Sequence, residues 1–186
     1  SWTTLASAQN GELATHVSPY GMGSGIQSLL QHTKVEEVAQ WLPIHIPIQV
    51  VRDYLWHKML YPASIPMNIE ALAIEQALAR QVIRSSMQAT LMRWPSLYMA
   101  CEPILASGAI LTQGSTAAQA LLILLDGLQP AGITLAALDQ NGILPALGAA
   151  STFNSILPVQ AIENGALLNL ATVIAPVCAE KYGTPI

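Results

Sequence analysis

ILASGAIL, residues 104–111, places two small residues, Ser107 and Gly108, between two apolar runs. The first run is typical of the end of a buried strand, and the chain continues after the turn without a charged residue. In open α/β sheets, ligands bind at the carboxyl ends of strands. A turn with little side-chain bulk leaves main chain exposed to a flat ring, but small residues also allow simple close packing. The sequence therefore leaves a ligand site and close packing open as explanations of Ser107, Gly108 and Ala109.

Around this turn, buried strand-like runs alternate with helical ones. The predicted strands cover 98–106, 132–138 and 167–177, and the predicted helices cover 115–128 and 143–163. Residues 115–128 are apolar nearly all round, which is typical of a helix covered on several sides, and Pro158 is the expected break within the last helical stretch. This alternation predicts a parallel segment in a mixed sheet that is covered on both faces.

The first 30 residues predict a hairpin followed by a short helix. Asn10-Gly11 separates two strand-like runs, residues 2–9 and 12–18, and favours a tight two-residue turn. The glycine-rich stretch YGMGSG, residues 20–25, then leads into a helix. Gly21 and Gly23 have the spacing of a dinucleotide-binding fingerprint, but Ile26 occupies the third glycine position. A flexible turn that needs positive φ is the alternative interpretation.

Residues 33–94 predict a block of helices. Thr33 and Glu36 have capping-box spacing, Pro43 and Pro47 end the first helix, and Asn68 can cap a long helix that ends before Pro95. The inward faces are Ile48, Val51, Leu55 and Met59 in the second helix, and Ile74, Leu78, Val82, Met87 and Leu91 in the third. The block is either core packing, the preferred interpretation, or an insertion that docks a partner.

The composition excludes several function classes. Charged residues make up 10% of the chain against a usual share of about 25%, so we expect a missing domain or partner to cover part of the surface. No Lys or Arg lies between Arg93 and Lys181, which argues against nucleic-acid binding. Small and polar residues interrupt the uncharged stretch 103–125, which predicts a buried helix rather than a membrane span. Cys101 and Cys178 are expected to be reduced thiols of a cytoplasmic protein.

Known catalytic signatures are missing from the sequence. No serine lies in a Gly-x-Ser-x-Gly elbow, and no Gly-Lys-Ser/Thr loop is present. The four histidines occur singly, without a second ligand at helical spacing, so the sequence predicts no metal site. It assigns no catalytic residue either. Asp126 lies on an otherwise apolar helix. Its side chain faces a solvent edge, caps the next turn or approaches a ligand cleft, and the sequence leaves these three alternatives open.

Several segments in order carry a resemblance to a known family. Residues 2–25, WTTLASAQNGELATHVSPYGMGSG, resemble the start of a half-domain in the actin-like ATPase (ASKHA) superfamily, which includes sugar kinases and heat-shock chaperones. LPALGAAS, residues 144–151, is similar to the small-residue helix near its interdomain hinge. More narrowly, the chain resembles the glutamate-mutase-associated MutL (GlmL) family. This family is distinct from the mismatch-repair protein of the same name. The segments are SIPMNIEALAIEQALAR (64–80), ILASGAIL (104–111), LLILLDGLQPAGIT (121–134) and GALLNLATVIAPV (165–177).

The resemblance implies a fold and a domain organisation. The chain would be one α/β lobe over residues 1–186, a ribonuclease H-like half-domain of the actin-like ATPase fold. Its mixed sheet would combine the N-terminal hairpin with parallel strands. Residues 33–94 would form a helical insertion, and residues 95–177 a β-α-β-α portion. The other ATPase lobe would precede this one in a longer protein.

The resemblance also implies a function. Ser107, Gly108 and Ala109 match the adenosine-binding turn, and Thr3, Thr4, Gly21 and Gly23 belong to the phosphate edge. ATP or ADP with Mg²⁺ would bind to the full-length protein, and this fragment alone would hold none. The partners would be the missing N-terminal lobe and a subunit of an adenosylcobalamin-dependent mutase, whose assembly or reactivation the protein would assist.

The chain also departs from the superfamily pattern. The acidic-Gly-Gly segment expected before Thr3 is absent, and Ala106 and Ser107 stand where glycines are common, which narrows the adenosine slot. These departures support a rival hypothesis, a scaffold or protein-interaction domain without a nucleotide site. A metabolic kinase ranks third, because no candidate base for phosphoryl transfer is evident.

Overall fold

The computed structural model describes residues 3–9, 12–95 and 102–176. The strands in these ranges are β1 (Thr3–Gln9), β2 (Glu12–Ser18), β3 (Ile104–Ser107), β4 (Gly132–Asp139) and β5 (Leu168–Ala175). The helices are α1 (Ile26–Leu30), α2 (Val35–Ala39), α3 (Ile48–Leu60), α4 (Ile69–Arg93), α5 (Ala109–Thr112), α6 (Ala117–Leu128), α7 (Leu144–Ser151) and α8 (Ile156–Glu163). The chain is therefore a mixed α/β protein.

The N-terminal hairpin is confirmed. β1 and β2 pair antiparallel, and their register runs from Thr3 opposite Ser18 to Gln9 opposite Glu12. This register leaves two positions for the connecting loop, the length that Asn-Gly turns favour. The turn residues Asn10 and Gly11 themselves lie outside the described residues.

The second sheet has the order β3-β4-β5. β3 pairs parallel with β4, as predicted, but β5 pairs antiparallel with β4. The expectation that alternation would continue in parallel is therefore wrong for the last strand. A parallel pair of strands is joined by a single crossover connection. Between β4 and β5 the chain instead forms two helices, α7 and α8, which contact each other. The chain leaves β4 at the carboxyl end of the strand, and α8 brings it back toward that end. β5 therefore runs antiparallel to β4.

The prediction of one mixed sheet is also corrected. Within the described residues, the hairpin β1-β2 is a sheet of its own, separate from β3-β4-β5. The predicted strand 98–106 is confirmed from Ile104 onward and extends to Ser107, while Glu102 and Pro103 are not part of it. Its predicted beginning, up to residue 101, lies outside the described residues.

Helix α4 connects two hydrophobic cores. The first core lies among α1, α2, α3 and α4, with fully buried Ile26, Leu55 and Leu78. The second core lies between α6 and the β3-β4-β5 sheet and includes Ala79 of α4 and Ile123 of α6. Burial of each large aliphatic side chain contributes roughly 1.5–3 kcal/mol. Since α4 also contacts β1 and β2, it fixes the hairpin relative to the second sheet.

Local signals placed α4 correctly, and other helix predictions need correction. The Asn68 side chain accepts a hydrogen bond from the Ala71 N–H at 2.7 Å, and α4 ends at Arg93 before Pro95. Ile48 was expected inward, but it begins α3 beyond the reach of the core and is 38% exposed. Pro158 does not break a helix: it is the third residue of α8, where proline costs little because first-turn N–H groups have no intrahelical partner.

The start of α2 also differs from its prediction by one position. The Glu37 carboxylate accepts from the Lys34 N–H at 3.4 Å, and the helix begins at Val35. The predicted capping pair was Thr33 with Glu36. Thr33 is buried and lies before the helix. The predicted spacing of three residues between the two capping residues is thus right, but the pair is one position further along the chain than predicted.

The β3-β4-β5 sheet is covered on one face and open in part on the other. Leu105, Ile133 and Ile174 share a face by register and are exposed, the last two by 62% and 73%. The prediction of cover on both faces is therefore wrong for the described residues. Helix α6, which is predicted to be covered on several sides, has Ala120, Ile123 and Leu124 buried and Leu122 exposed. Within the described ranges, no helix is long and apolar enough to span a membrane.

Candidate functional site

The predicted turn lies open at the carboxyl end of β3. Ser107 is the last residue of the strand, Gly108 precedes α5, and Ala109 begins it, and all three are exposed. Gly108 has φ 146° and ψ 144°, and a Cβ atom built on it would meet no atom within 4 Å. Close packing is therefore excluded as the reason for this glycine. The backbone conformation requires it, and its main chain is accessible from the side that a Cβ would cover.

Asp139 lies beside this turn, buried at the end of β4. Parallel pairing aligns Ser107 with Asp139, so the carboxyl ends of both strands meet at one edge. The Asp139 carboxylate accepts hydrogen bonds from the N–H groups of Asn141, Ile143 and Leu144 at 3.2, 3.0 and 2.9 Å. Burial alone would raise the pKa of Asp139, but these main-chain hydrogen bonds lower it below its ordinary value.

The contacts of Asp139 assign it a positioning role. Three main-chain donors already occupy its carboxylate, which joins the end of β4 to the start of α7 at Leu144. Gly142, between β4 and α7, has φ 67°. The hydrogen-bonding role of the aspartate was missed. Its signal was an Asp followed by Asn-Gly directly before a helix, because Asp side chains bond to main chain a few residues ahead.

Thr3 and Thr4, the predicted phosphate residues, occupy the entry of β1. The Thr3 hydroxyl donates to the Tyr20 carbonyl at 3.0 Å, and the Ser18 hydroxyl donates to the Thr3 carbonyl at 3.4 Å. Thr4 is exposed. Of the two hydroxyls, that of Thr3 is therefore bonded within the hairpin and the following loop, and Thr4 is the one exposed to a ligand.

One cavity of about 380 Å³ brings some of the predicted residues together. Thr3 and Thr4 of β1 and Ser107 of β3 line it, together with apolar side chains of α4, α5 and α6. The other predicted residues do not line this cavity: Gly108, Ala109, Gly21 and Gly23. The turn after β3 and the cavity beside β3 are thus separate features that meet at Ser107.

The glycine-rich loop before α1 has a packing role. Gly21 and Gly25 are buried, and Met22 packs against both hydrophobic cores. Gly25 has φ −72°, so the positive-φ explanation is wrong for this glycine. Ile26 is fully buried where a dinucleotide fingerprint would need its third glycine. The loop therefore connects the hairpin to the first core, and its α1 helix has only five residues.

Two ion pairs between helices were not found by sequence reasoning. Arg80 Nε donates to Asp126 Oδ2 at 2.6 Å and joins α4 to α6. Of the three roles left open for Asp126, the solvent edge agrees with its side chain, which is 37% exposed, and the ion pair was not foreseen. Among the described residues, the buried Arg80 Nη1 has no hydrogen-bond partner. These partners are 46 residues apart, and no local pattern indicates such a pair.

The second ion pair joins α3 to α4. Lys58 Nζ lies 2.6 Å from Glu75 Oε1, and both side chains are buried. Lys58 also donates to the Ser64 carbonyl, and the Tyr54 hydroxyl donates to Glu75 at 2.9 Å. Burial, the hydrogen bond to Glu75 and its negative charge raise the pKa of Tyr54. This network has all its charges paired internally and lies among the central helices, so it stabilises their packing.

The turn lacks cationic side chains from its own part of the chain. The ionisable side chains described over residues 102–176 are Glu102, Asp126, Asp139 and Glu163, all of them acidic. Within the described residues, no three His, Cys, Asp or Glu side chains are grouped to hold a metal ion. Main-chain donors and hydroxyls are therefore what this edge offers to a ligand.

Comparison with known proteins gives one match. The model of a protein family described as "MutL protein" matches residues 9–165, most of the chain. No curated protein and no solved structure gives a significant match to the chain. The matched range includes the turn after β3 and the helices α6, α7 and α8.

Proposed function

We propose a function from one established premise: the chain belongs to the glutamate-mutase-associated MutL family. In this proposal it is the nucleotide-binding lobe of an actin-like protein. The adenine of ATP or ADP lies on the main chain of Ser107, Gly108 and Ala109. The full-length protein then assists the assembly or reactivation of an adenosylcobalamin-dependent mutase, and does not perform the mutase reaction.

The open turn after β3 is the observation that carries this proposal. A planar ring needs main chain that no side chain covers, and the position of a Gly108 Cβ has no atom within 4 Å. The turn follows a strand at the carboxyl edge of a partly parallel sheet, where ligands of α/β proteins bind. Ser107 adds an exposed hydroxyl, and the buried Asp139 fixes the neighbouring turn beside it.

The phosphate side of the site is incomplete in this chain. Thr4 offers an exposed hydroxyl, while Gly21 and Gly23 belong to a packed loop. Phosphates and Mg²⁺ need charged partners, and the carboxylate of Asp139 is already occupied by main-chain donors. In this proposal the missing N-terminal lobe and the segment before Ser1 supply those charges. Closure of two lobes on the nucleotide then gives the hinge motion that a chaperone-like role requires.

The test is a calorimetric titration of ATP into the full-length protein and two glycine variants. Gly108→Trp fills the space over the turn, and we expect it to weaken ATP binding at least tenfold. Gly165→Trp is the matched control, because Gly165 also has positive φ (79°) and open space at its Cβ. Both variants carry a comparable backbone strain of about 1–3 kcal/mol. An undetectable heat with the parent protein, or equal weakening by both variants, would refute the proposal.

A second candidate function is protein interaction without a nucleotide. The observation that favours it is the surface of α7 and α8, where no residue is buried in either helix and Phe153 between them is 94% exposed. Ile156 and Val159 of α8 are exposed as well. This candidate predicts that the full-length protein binds a mutase subunit with equal affinity with and without ATP. A nucleotide-dependent difference in affinity would contradict it and favour the first proposal.

A further inference from the structure

The end of α3 and the loop that leads to α4 carry an apolar surface that the described chain leaves uncovered. Six large side chains within residues 56–69 are each exposed by 59–87%, and we call them the α3–α4 patch: Trp56, Leu60, Tyr61, Ile65, Met67 and Ile69. At roughly 100–150 Å² of exposed area for each side chain, the patch amounts to about 600–900 Å². The largest apolar patch on a typical monomer covers about 300–600 Å², so a patch of this size indicates an interaction site.

Hydrogen bonds hold the loop between α3 and α4 in place. The Tyr61 N–H donates to the His57 carbonyl and the Ser64 N–H donates to the Tyr61 carbonyl, both at 2.9 Å. The buried Lys58, which is paired with Glu75 of α4, also donates to the Ser64 carbonyl. The loop is therefore ordered before any partner arrives, and binding to it costs little conformational entropy.

The charges around the patch distinguish its possible occupants. Between its first and last residues, the one Lys, Arg, Asp or Glu side chain is Lys58, which is buried. The next exposed charges along the chain are acidic, Asp53 and Glu70, and Arg52 lies 3.9 Å from Glu36 in an ion pair. Binding to an anionic membrane surface draws on free Lys and Arg side chains around the apolar ones. Two copies of an uncharged patch, in contrast, meet without like-charge repulsion at the centre of their contact.

The patch contains both a recess and side chains that fit into one. A depression of about 560 Å³ is lined by residues 57 and 60–64. Ile65 and Met67 follow in the same loop, do not line the depression and are exposed. A two-fold interface uses the same surface of both copies, so a projection and its recess must occur together on that surface. The α3–α4 patch meets this requirement.

We infer that the α3–α4 patch is the interface of a two-fold symmetric homodimer, in which Ile65 and Met67 of one copy pack into the depression of the other. The exposed area of the patch agrees with that of a standard stable interface, which buries about 800 Å² per partner. This inference goes beyond the proposed function and does not rest on it. The residues that line the depression lie outside the turn after β3 and outside the cavity beside that strand.

Sedimentation velocity of the full-length protein without nucleotide tests the inference. We expect a dimer at about 10 µM, because interfaces of this size have affinities from µM to pM. The double variant Ile65→Lys with Met67→Lys places charges into the contact and should weaken dimerisation by about 100-fold or more. Both side chains are exposed in a loop, so the fold of the monomer does not depend on them. A monomeric parent protein, or a dimer that this variant leaves unchanged, would overturn the inference.

Phe153→Lys is the matched control. Phe153 is an exposed apolar side chain between α7 and α8, outside the patch, so its replacement should leave the dimer intact. Dissociation by the control variant alone would assign self-association to α7 and α8 and would overturn the inference. A monomeric parent that binds a mutase subunit or phosphatidylserine vesicles through Ile65 and Met67 would assign the patch to that occupant and would overturn it as well.

Amide hydrogen exchange then locates the contact within the dimer. Exchange is measured at protein concentrations well above and well below the dissociation constant of the dimer. Over residues 61–69 we expect it to be slower by about 10-fold or more in the dimer, because the contact has to open before these amides exchange. Exchange over residues 152–165 should be the same at both concentrations. A dimer without slower exchange over residues 61–69 would show that another surface forms the contact and would overturn the inference.

Discussion

The Gly127→Ala substitution tests how closely α4 and α6 approach. A Cβ built on Gly127 lies 2.7 Å from both the Cβ and Cγ2 atoms of Ile83, and 3.3 Å from the Arg80 carbonyl oxygen. The Ile83 Cβ is attached directly to the backbone of α4 and cannot rotate away. An alanine at position 127 therefore forces α4 and α6 apart. The contact between these two helices connects the first core to the β3-β4-β5 sheet.

The expected magnitude is the balance of two opposing effects. Replacing glycine by alanine inside a helix stabilises the helix by about 1 kcal/mol, and overpacking a core costs about 1–3 kcal/mol. Because the contact involves atoms fixed to the backbone, we expect the overpacking cost at the upper end and a net destabilisation of about 1–2 kcal/mol. For a domain of this size, each kcal/mol corresponds to about 2–4 °C in Tm. The predicted decrease in Tm is therefore about 2–8 °C.

The assay compares Gly127→Ala with Gly148→Ala by differential scanning calorimetry. Gly148 lies in exposed α7, and a Cβ there meets no atom within 4 Å, so the helix-propensity gain is not offset. We expect Gly148→Ala to raise the free energy of unfolding by about 0.5–1 kcal/mol. If Gly127→Ala is as stable as the parent or more stable, the inferred close approach of α4 and α6 is wrong.

Two further predictions concern buried charges. Asp126→Asn leaves the Arg80 guanidinium without its carboxylate, and because Asp126 is 37% exposed the cost should be about 1–3 kcal/mol, below that of a fully buried pair; a urea midpoint equal to that of the parent would contradict this. Asp139 has a lowered pKa, so its contribution to stability is present above its unfolded pKa of about 3.9 and is lost as pH falls through the folded pKa. The stability difference between the parent and Asp139→Ala should therefore be constant from pH 7 to 5 and shrink below about pH 4; an unchanged difference at pH 3 would refute the assignment.

Local signals in the sequence predicted the parts of the fold that depend on local chemistry. The Asn68 cap, the end of α4 before Pro95 and the β1-β2 hairpin follow from residues within a few positions of each other. The direction of β5 and the separation of the hairpin from the second sheet depend on which edges meet in space. Periodicity carries no information on that choice, since parallel and antiparallel neighbours have the same alternation of side chains.

The candidate site was predictable to the same limited extent. The small residues at 107–109 left a ligand site and close packing as alternatives, and the structure shows an exposed main chain there. The pairing of Ser107 with Asp139 and the Arg80–Asp126 bond join residues more than 30 positions apart, so no motif could indicate them. Ser107, Thr3 and Thr4 are grouped in the sequence only through a resemblance, and in the structure they line one cavity.

The proposed nucleotide turn depends on how β3 is held. This strand has four residues and, within the described part of the chain, is held by a ladder on one side only. Its last residue begins the open turn, and its free edge lines the cavity. The position of the proposed nucleotide turn therefore depends on the pairing of Ser107 with Asp139. Rigid placement of a binding surface reduces the entropy lost on binding. Loss of this pairing would therefore weaken the proposed binding through the position of the turn, even where no contact to the ligand changes.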